Sequence, residues 1–152
     1  MRRRLACAIA AVIFVWTASR ASAAPSCSIS VTSVNFGTYD VFSTSDTIST
    51  GSVSFRCRGS ASAITIGLGQ GQSGTFSQRT MKKGGESLPY NLFLNAAQTS
   101  IWGDGTSGTQ VYTNASPPNN TLVTVTIYGR IPAGADVSAG AYTDTVAATI
   151  NF

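Results

Sequence analysis

The sequence contains no histidine, so every catalytic or metal-binding arrangement that requires an imidazole is excluded. Charged residues are also scarce, at 11% of the chain, and only six of them are acidic. The acids are scattered singly, mostly beside glycine, serine or threonine, where acids commonly form turns. A pair brought together by folding could still act as a glycosidase-like dyad, but nothing in the spacing supports one. The sequence therefore predicts no enzyme, no cofactor and no metal site; the acids are Asp40, Asp46, Glu86, Asp104, Asp136 and Asp144.

Long hydrophobic runs are missing as well, except at the N-terminus. There a positive block at residues 1–4 precedes an apolar run at residues 5–16 and small residues ending at Ala23. This is the pattern of a secretory signal peptide. The run is about a dozen residues long, whereas a membrane-spanning helix needs about 20. We expect cleavage after Ala23 rather than an uncleaved anchor, a single domain over residues 24–152 with no membrane-spanning segment, and export through the periplasm to the cell surface.

The net charge of +4 belongs to this leader. Removing residues 1–23 removes Arg2, Arg3, Arg4 and Arg20, which leaves six basic residues against six acids. The remaining chain is neutral overall, so its composition predicts no nucleic-acid partner.

Two of the three cysteines, Cys27 and Cys57, remain after the leader and Cys7 are removed. An even number of cysteines in an oxidising compartment predicts a disulfide, and two cysteines allow one pairing. The bond would close a loop of about 31 residues and contribute roughly 3–4 kcal/mol by the chain-entropy model. A metal site would need more ligands than two thiols provide.

Apolar residues after the leader alternate with serine and threonine, and no helical period extends over three turns. Val34 and Phe36 continue the first run on the opposite parity, as a bulge or a change of sheet would require. Glycine- and proline-rich turns separate the runs. This pattern predicts an all-β sandwich, with strands over residues 27–31, 53–57, 64–68, 88–94, 123–127 and 142–152.

Several segments, taken in order, resemble the spore coat protein U domain family, which includes Csu-type pilins of the archaic chaperone–usher pathway. Each motif is short, but together they cover nearly all of the chain after the leader. They are Cys27, residues 34–40 (VNFGTYD), Cys57, residues 79–81 (RTM), 88–93 (LPYNLF), 101–105 (IWGDG), 125–132 (VTIYGRIP) and 140–146 (GAYTDTV).

The resemblance implies an incomplete immunoglobulin-like β-sandwich that lacks its final strand and has an apolar groove in its place. It further implies a non-enzymatic structural subunit that accepts a donor strand by strand addition. The implied partners are a periplasmic pilus chaperone, an outer-membrane usher and other pilin subunits. We expect the edge that pairs with the donor strand to be the last predicted strand, with Val146, Ala148, Ile150 and Phe152 as its pairing residues.

Polymerising subunits of such pili carry a donor segment before the first cysteine, whereas here Ala24, Pro25 and Ser26 follow the predicted cleavage site. Three residues span about 10 Å at most. We therefore expect a subunit that accepts a strand without giving one, at a terminal position such as a pilus tip. The alternatives are an adhesin domain that binds an abiotic surface or a glycan, and a structural protein of a spore or cell coat.

Overall fold

The computed structural model describes residues 24–59 and 63–152; the predicted signal peptide, residues 1–23, lies outside these ranges. Within them no helix is long and apolar enough to cross a membrane. A short 3-10 turn occupies Gly71–Ser73. The strands are β1 (Ser26–Thr32), β2 (Thr47–Arg58), β3 (Ile64–Leu68), β4 (Arg79–Lys83), β5 (Glu86–Phe93), β6 (Tyr112–Asn114), β7 (Val123–Ile131) and β8 (Ala148–Asn151).

The strands form two sheets that pack face to face. One sheet has the order β1-β2-β7-β5-β4 and the other has the order β6-β3-β8. All the paired strands are antiparallel. This arrangement confirms the predicted all-β sandwich.

The core lies between the sheets and follows the two-residue period of the sequence. In β2 and β3 alternate side chains are buried and point to the opposite sheet. Trp102 is fully buried, and its indole Nε1 donates a 2.8 Å hydrogen bond to the carbonyl of Ile66. The other core residues include Val53, Phe55, Cys57, Ile64, Leu68, Leu88, Tyr90, Leu92, Ile127 and Ile131.

The segment that contains Val34 and Phe36 lies alongside the sandwich without forming a regular strand. It passes close to the backbone at two glycines, Gly51 in β2 and Gly129 in β7. A Cβ atom at Gly51 would lie 2.9 Å from Val34 Cγ2, and one at Gly129 would lie 2.7 Å from Phe36 Cζ. Glycine at these two positions therefore allows the segment to approach the β2 and β7 backbones.

The predicted strand over residues 142–152 is wrong in its extent, because β8 covers only Ala148–Asn151. Thr143 exchanges backbone hydrogen bonds of 3.1 and 2.7 Å with Lys82 of β4, in the five-stranded sheet. Ala147 instead accepts a bond from Gly69, next to β3 in the other sheet. The run of alternating residues thus crosses from one sheet to the other, which interrupts the strand. The pattern also missed the short strands β4 and β6.

Candidate functional site

A groove of about 870 Å³ opens along one side of the sandwich. Residues 33–41 line one wall, and residues between 137 and 148 line the other. The floor consists of core side chains from both sheets. The groove therefore opens onto the hydrophobic core; the floor residues are Leu68, Met81, Leu88, Tyr90, Leu92, Ile127 and Ile131.

Strand β8 forms the edge of its sheet beside this groove, with β3 as its neighbour on the other side. The carbonyl of Ala147 accepts a 2.8 Å bond from Gly69 N. Because backbone groups alternate sides along a strand, residues 147, 149 and 151 direct theirs toward β3. Val146, Ala148 and Ile150 consequently direct their N–H and C=O groups toward the open edge. Their side chains are half-buried and pack against the core.

The structure places the four predicted edge residues differently from one another. Val146 and Ala148 line the groove. Ile150 lies further along β8 and packs on the core. Phe152 follows the end of β8, and 54% of its surface is exposed. The edge defined by this geometry is therefore Val146, Ala148 and Ile150.

One hydrogen-bonded pair, Tyr90 and Asp144, places polar groups at the otherwise apolar floor of the groove. The hydroxyl of Tyr90 donates a 2.6 Å bond to Oδ2 of Asp144. Oδ1 of Asp144 accepts bonds from the backbone N–H groups of Gln72 and Thr145, at 2.8 and 2.7 Å. Burial, and then the bond to Asp144, raise the pKa of Tyr90 far above its usual range, so the phenol remains protonated as a donor.

Close to this pair lies a buried cation, Arg79, which the sequence indicates only as part of the motif at residues 79–81. Arg79 is fully buried and donates to the carbonyls of Gly69 and Trp102, each at 2.7 Å, and to Oδ1 of Asn91 at 2.8 Å. Burial lowers the pKa of the guanidinium, while Tyr90 and Asp144 oppose that shift. Arg79 thus connects β4 to the end of β3 and to the Trp102 loop. An arginine on the inward parity of β4 was the available signal, but β4 itself was not predicted.

A second polar cluster fixes the wall of the groove at residues 138–142. Glu86 accepts hydrogen bonds from the hydroxyls of Tyr142 and Ser138. Lys83 Nζ donates to Ser138 Oγ and to the carbonyl of Ala139, at 2.5 and 2.6 Å. The bonds from Tyr142 and Ser138 lower the pKa of Glu86. Desolvation, followed by the bond to Glu86, raises the pKa of Tyr142. This cluster attaches the wall to the β4–β5 hairpin.

Residues 26–28 and 56–58 form the end of the sandwich where β1 begins and β2 ends. We call this end the disulfide pole. Cys27 and Cys57 lie directly opposite each other in the β1–β2 pair, and their sulfur atoms are bonded at 2.04 Å. The bond joins β1 to β2 outside the groove, since neither cysteine lines it.

Three further acids, Asp104, Asp40 and Asp46, each make a separate local contact. Asp104 accepts bonds from the N–H and hydroxyl of Thr106, which lower its pKa and form the predicted turn. Asp40 likewise accepts from the N–H of Phe42, two residues on. Asp46 pairs with Arg130 at 3.7 Å. In residues 24–59 and 63–152, no three cysteine or acidic side chains are grouped so that they could hold a metal ion.

In the part of the chain that the structure describes, β8 pairs only with β3 and borders an open groove. An all-β sandwich of this kind is the architecture of an incomplete, immunoglobulin-like pilin domain. The comparisons agree with this class. Residues 13–149 match the Spore Coat Protein U domain. The chain therefore belongs to the Spore Coat Protein U domain family, a family of structural, non-enzymatic proteins.

Two relatives illustrate this membership. Protein U of Myxococcus xanthus is 35% identical over an alignment of 132 residues that covers 78% of this chain and 71% of Protein U. The structure also matches, with a TM-score of 0.61 and 26% identity, a chain of the CsuC–CsuE chaperone–tip adhesion subunit pre-assembly complex from the archaic chaperone–usher Csu pili of Acinetobacter baumannii. That match covers 84% of this chain and 40% of the matched chain. The predicted family and fold are thereby confirmed.

Proposed function

We propose that this chain is exported and assembled as a structural subunit of an archaic chaperone–usher pilus, where its groove accepts a strand from another protein. The observation that carries the proposal is the position of the free β8 edge directly beside the opening onto the core. An added strand would pair its backbone with Val146, Ala148 and Ile150 and would insert alternate side chains into the groove.

The free energy expected from burying a donor strand is large enough for a stable complex. A donor strand would bury four or five apolar side chains at about 1.5–3 kcal/mol each, or roughly 6–15 kcal/mol gross. That is comparable to the stability of a whole domain. The groove would first bind a strand from a periplasmic chaperone and then, at the usher, a strand from a neighbouring subunit. The similarity to a chain of a chaperone–tip adhesion subunit complex supports both the chaperone partner and a terminal position in the pilus.

A pair of adjacent substitutions tests strand acceptance. The side chain of Ala148 faces the groove, whereas that of its neighbour Thr149 is exposed on the other side of the strand. Ala148→Arg should fill the groove with a charged side chain and abolish binding of a peptide of alternating valine and threonine. Thr149→Arg adds the same charge to the same strand and should bind the peptide as the parent does.

The measurement is peptide binding to each variant, isolated with its co-expressed chaperone and released in the presence of labelled peptide. A scrambled peptide with its valines grouped together controls for nonspecific hydrophobic binding. Equal binding of the alternating peptide by the two variants would contradict the proposal. If Ala148→Arg is not recovered, Val146→Thr, which changes the polarity of a groove side chain at nearly constant volume, replaces it and should weaken binding several-fold.

A further inference from the structure

A second, smaller concavity lies at the disulfide pole, away from the groove. It has a volume of about 340 Å³ and is lined by Ser26, Cys27, Ser28, Arg56 and Arg58. Arg56 and Arg58 are two apart in β2, so both side chains extend from the same face of the sheet. In the β1–β2 register they lie opposite Ser28 and Ser26. Two guanidinium groups and two hydroxyl groups therefore border one open cleft.

No carboxylate neutralises this pair of arginines. All six acids of the chain lie in the described ranges, and the two ion pairs found there use Lys83 and Arg130 instead. The overall neutrality of the chain after the leader thus conceals a local excess of positive charge at the disulfide pole. Concentrated positive charge in a concave surface attracts anions more strongly than the same charge dispersed over a surface.

The cleft is held in position by hydrogen bonds. Arg58 Nε donates to Oδ1 of Asn120 at 3.3 Å. The loop that carries Asn120 is in turn fixed to the end of β2, because Asn120 N donates to the carbonyl of Cys57 at 2.7 Å and Gly59 N donates to Oδ1 of Asn119 at 3.1 Å. Among residues 24–59 and 63–152 the guanidinium of Arg58 donates through Nε, to Asn120, and its two terminal nitrogens have no hydrogen-bond acceptor there.

We propose that this cleft binds the sulfate ester groups of an extended, sulfated polysaccharide. The planar guanidinium donates two parallel hydrogen bonds to such oxyanions. The Ser26 hydroxyl can supply a further donor, whereas the Ser28 hydroxyl donates to the carbonyl of Arg56 at 3.4 Å. Alternate residues of a strand are about 6.4–6.8 Å apart, so Arg56 and Arg58 can engage two successive groups on one chain. The open shape of the cleft admits a polymer from the side. This site lies outside the groove and shares no lining residue with it.

Immobilised dextran sulfate is the probe, and uncharged dextran is the control surface. The exported chain is compared with Arg56→Gln, Arg58→Gln and the double variant, each in the same chaperone complex and with the free chaperone as a blank. We expect the double variant to lose about 10-fold or more in affinity and to show a weaker salt dependence, because two charge contacts are removed. Lys82→Gln removes one positive charge elsewhere and should change the affinity less than about 2-fold.

Unchanged binding in the double variant, or an equal loss in Lys82→Gln, would overturn the proposal. Competition by inorganic sulfate at an equal concentration of charge would indicate a site for single ions and would refute the polymer ligand. Saturating the groove with the alternating peptide should leave dextran sulfate binding unchanged. The anion site and the strand-binding groove can therefore fail independently.

Discussion

Tyr90, on the floor of the groove, donates a hydrogen bond of 2.6 Å to Asp144, on one of the groove's walls. Tyr90 belongs to β5 in the five-stranded sheet, whereas Asp144 lies on the segment that leads to β8 in the other sheet. The bond therefore attaches the wall of the groove to its floor at the point where the chain leaves Thr143, paired with β4, and crosses to the other sheet.

Replacing Tyr90 with phenylalanine removes this bond and leaves the ring in the core. A hydrogen bond to a charged group contributes about 1.5–3 kcal/mol, so we expect the free energy of unfolding to fall by that amount. Urea unfolding of the peptide-complemented domain measures the change. Tyr112→Phe is the matched control, since Tyr112 packs against Phe55 with its ring. Equal midpoints for the two variants would show that the bond to Asp144 does not contribute.

The disulfide gives a second prediction. Cys27 and Cys57 are expected to be oxidised to each other in the exported protein, and their joint replacement by serine should cost roughly 3–4 kcal/mol of stability. Mass spectrometry after alkylation without reduction measures the oxidation state. Recovery of two alkylated thiols from the exported form would refute the bond.

The incomplete sandwich predicts that the domain is unstable without a partner. Expressed alone, it should aggregate or be degraded, because the groove and the β8 edge remain uncovered. Co-expression with its chaperone should restore soluble protein. The contrary result would be a soluble monomer that melts cooperatively at high temperature with no partner present.

A terminal position predicts that the subunit accepts a strand but does not pass one on. When the purified subunit is released from its chaperone with no other pilin present, unboiled gels should contain no ladder of homopolymers. Addition of a second subunit's donor peptide should give one capped species without further growth. A ladder produced by this subunit alone would place it within the shaft instead.

The cluster around Glu86 predicts a pH dependence of stability. Hydrogen bonds from Tyr142 and Ser138 hold the pKa of Glu86 below its ordinary value of 4.5. Its contribution is therefore present above the pKa of the unfolded chain and is lost as the pH falls through the lower folded-state pKa. Glu86→Gln should lose less stability than the parent as the pH falls below 4.5. Near neutrality the free energy of unfolding of the two proteins should depend on pH in the same way. Asp136→Asn, which also removes one negative charge, is the control. The prediction is wrong if the parent and Glu86→Gln lose the same free energy of unfolding at acid pH.

The parts of the fold that the sequence predicted are those governed by strict alternation. Every second residue is buried along β3, from Val53 in β2 and from Ile127 in β7, so the existence of these strands could be inferred from period alone. The segment at Tyr142 also alternates, yet it pairs first with β4 and then beside β3, because its backbone follows two different partners. Alternation specifies which side chains are buried but not which strand supplies the hydrogen bonds.

The candidate sites show the same division. Val146 and Ala148, which line the groove, were predicted as edge residues from the alternation and from the resemblance, whereas no role was predicted for the buried Arg79. A buried arginine depends on carbonyls from Gly69 and Trp102, which are brought together only by the tertiary structure. The Arg56–Arg58 cleft was equally hidden, because a neutral total charge gives no information about where the charges lie.

The alternating orientation of the β8 backbone also restricts how a partner strand can shift along the groove. A shift of one residue would exchange the inward and outward side chains of the donor, so its apolar residues would face water. A shift of two residues keeps the polarity and changes only which donor side chain meets the Tyr90–Asp144 pair. Permitted registers therefore differ by two residues, and a polar donor side chain at that single position would distinguish one register from the next.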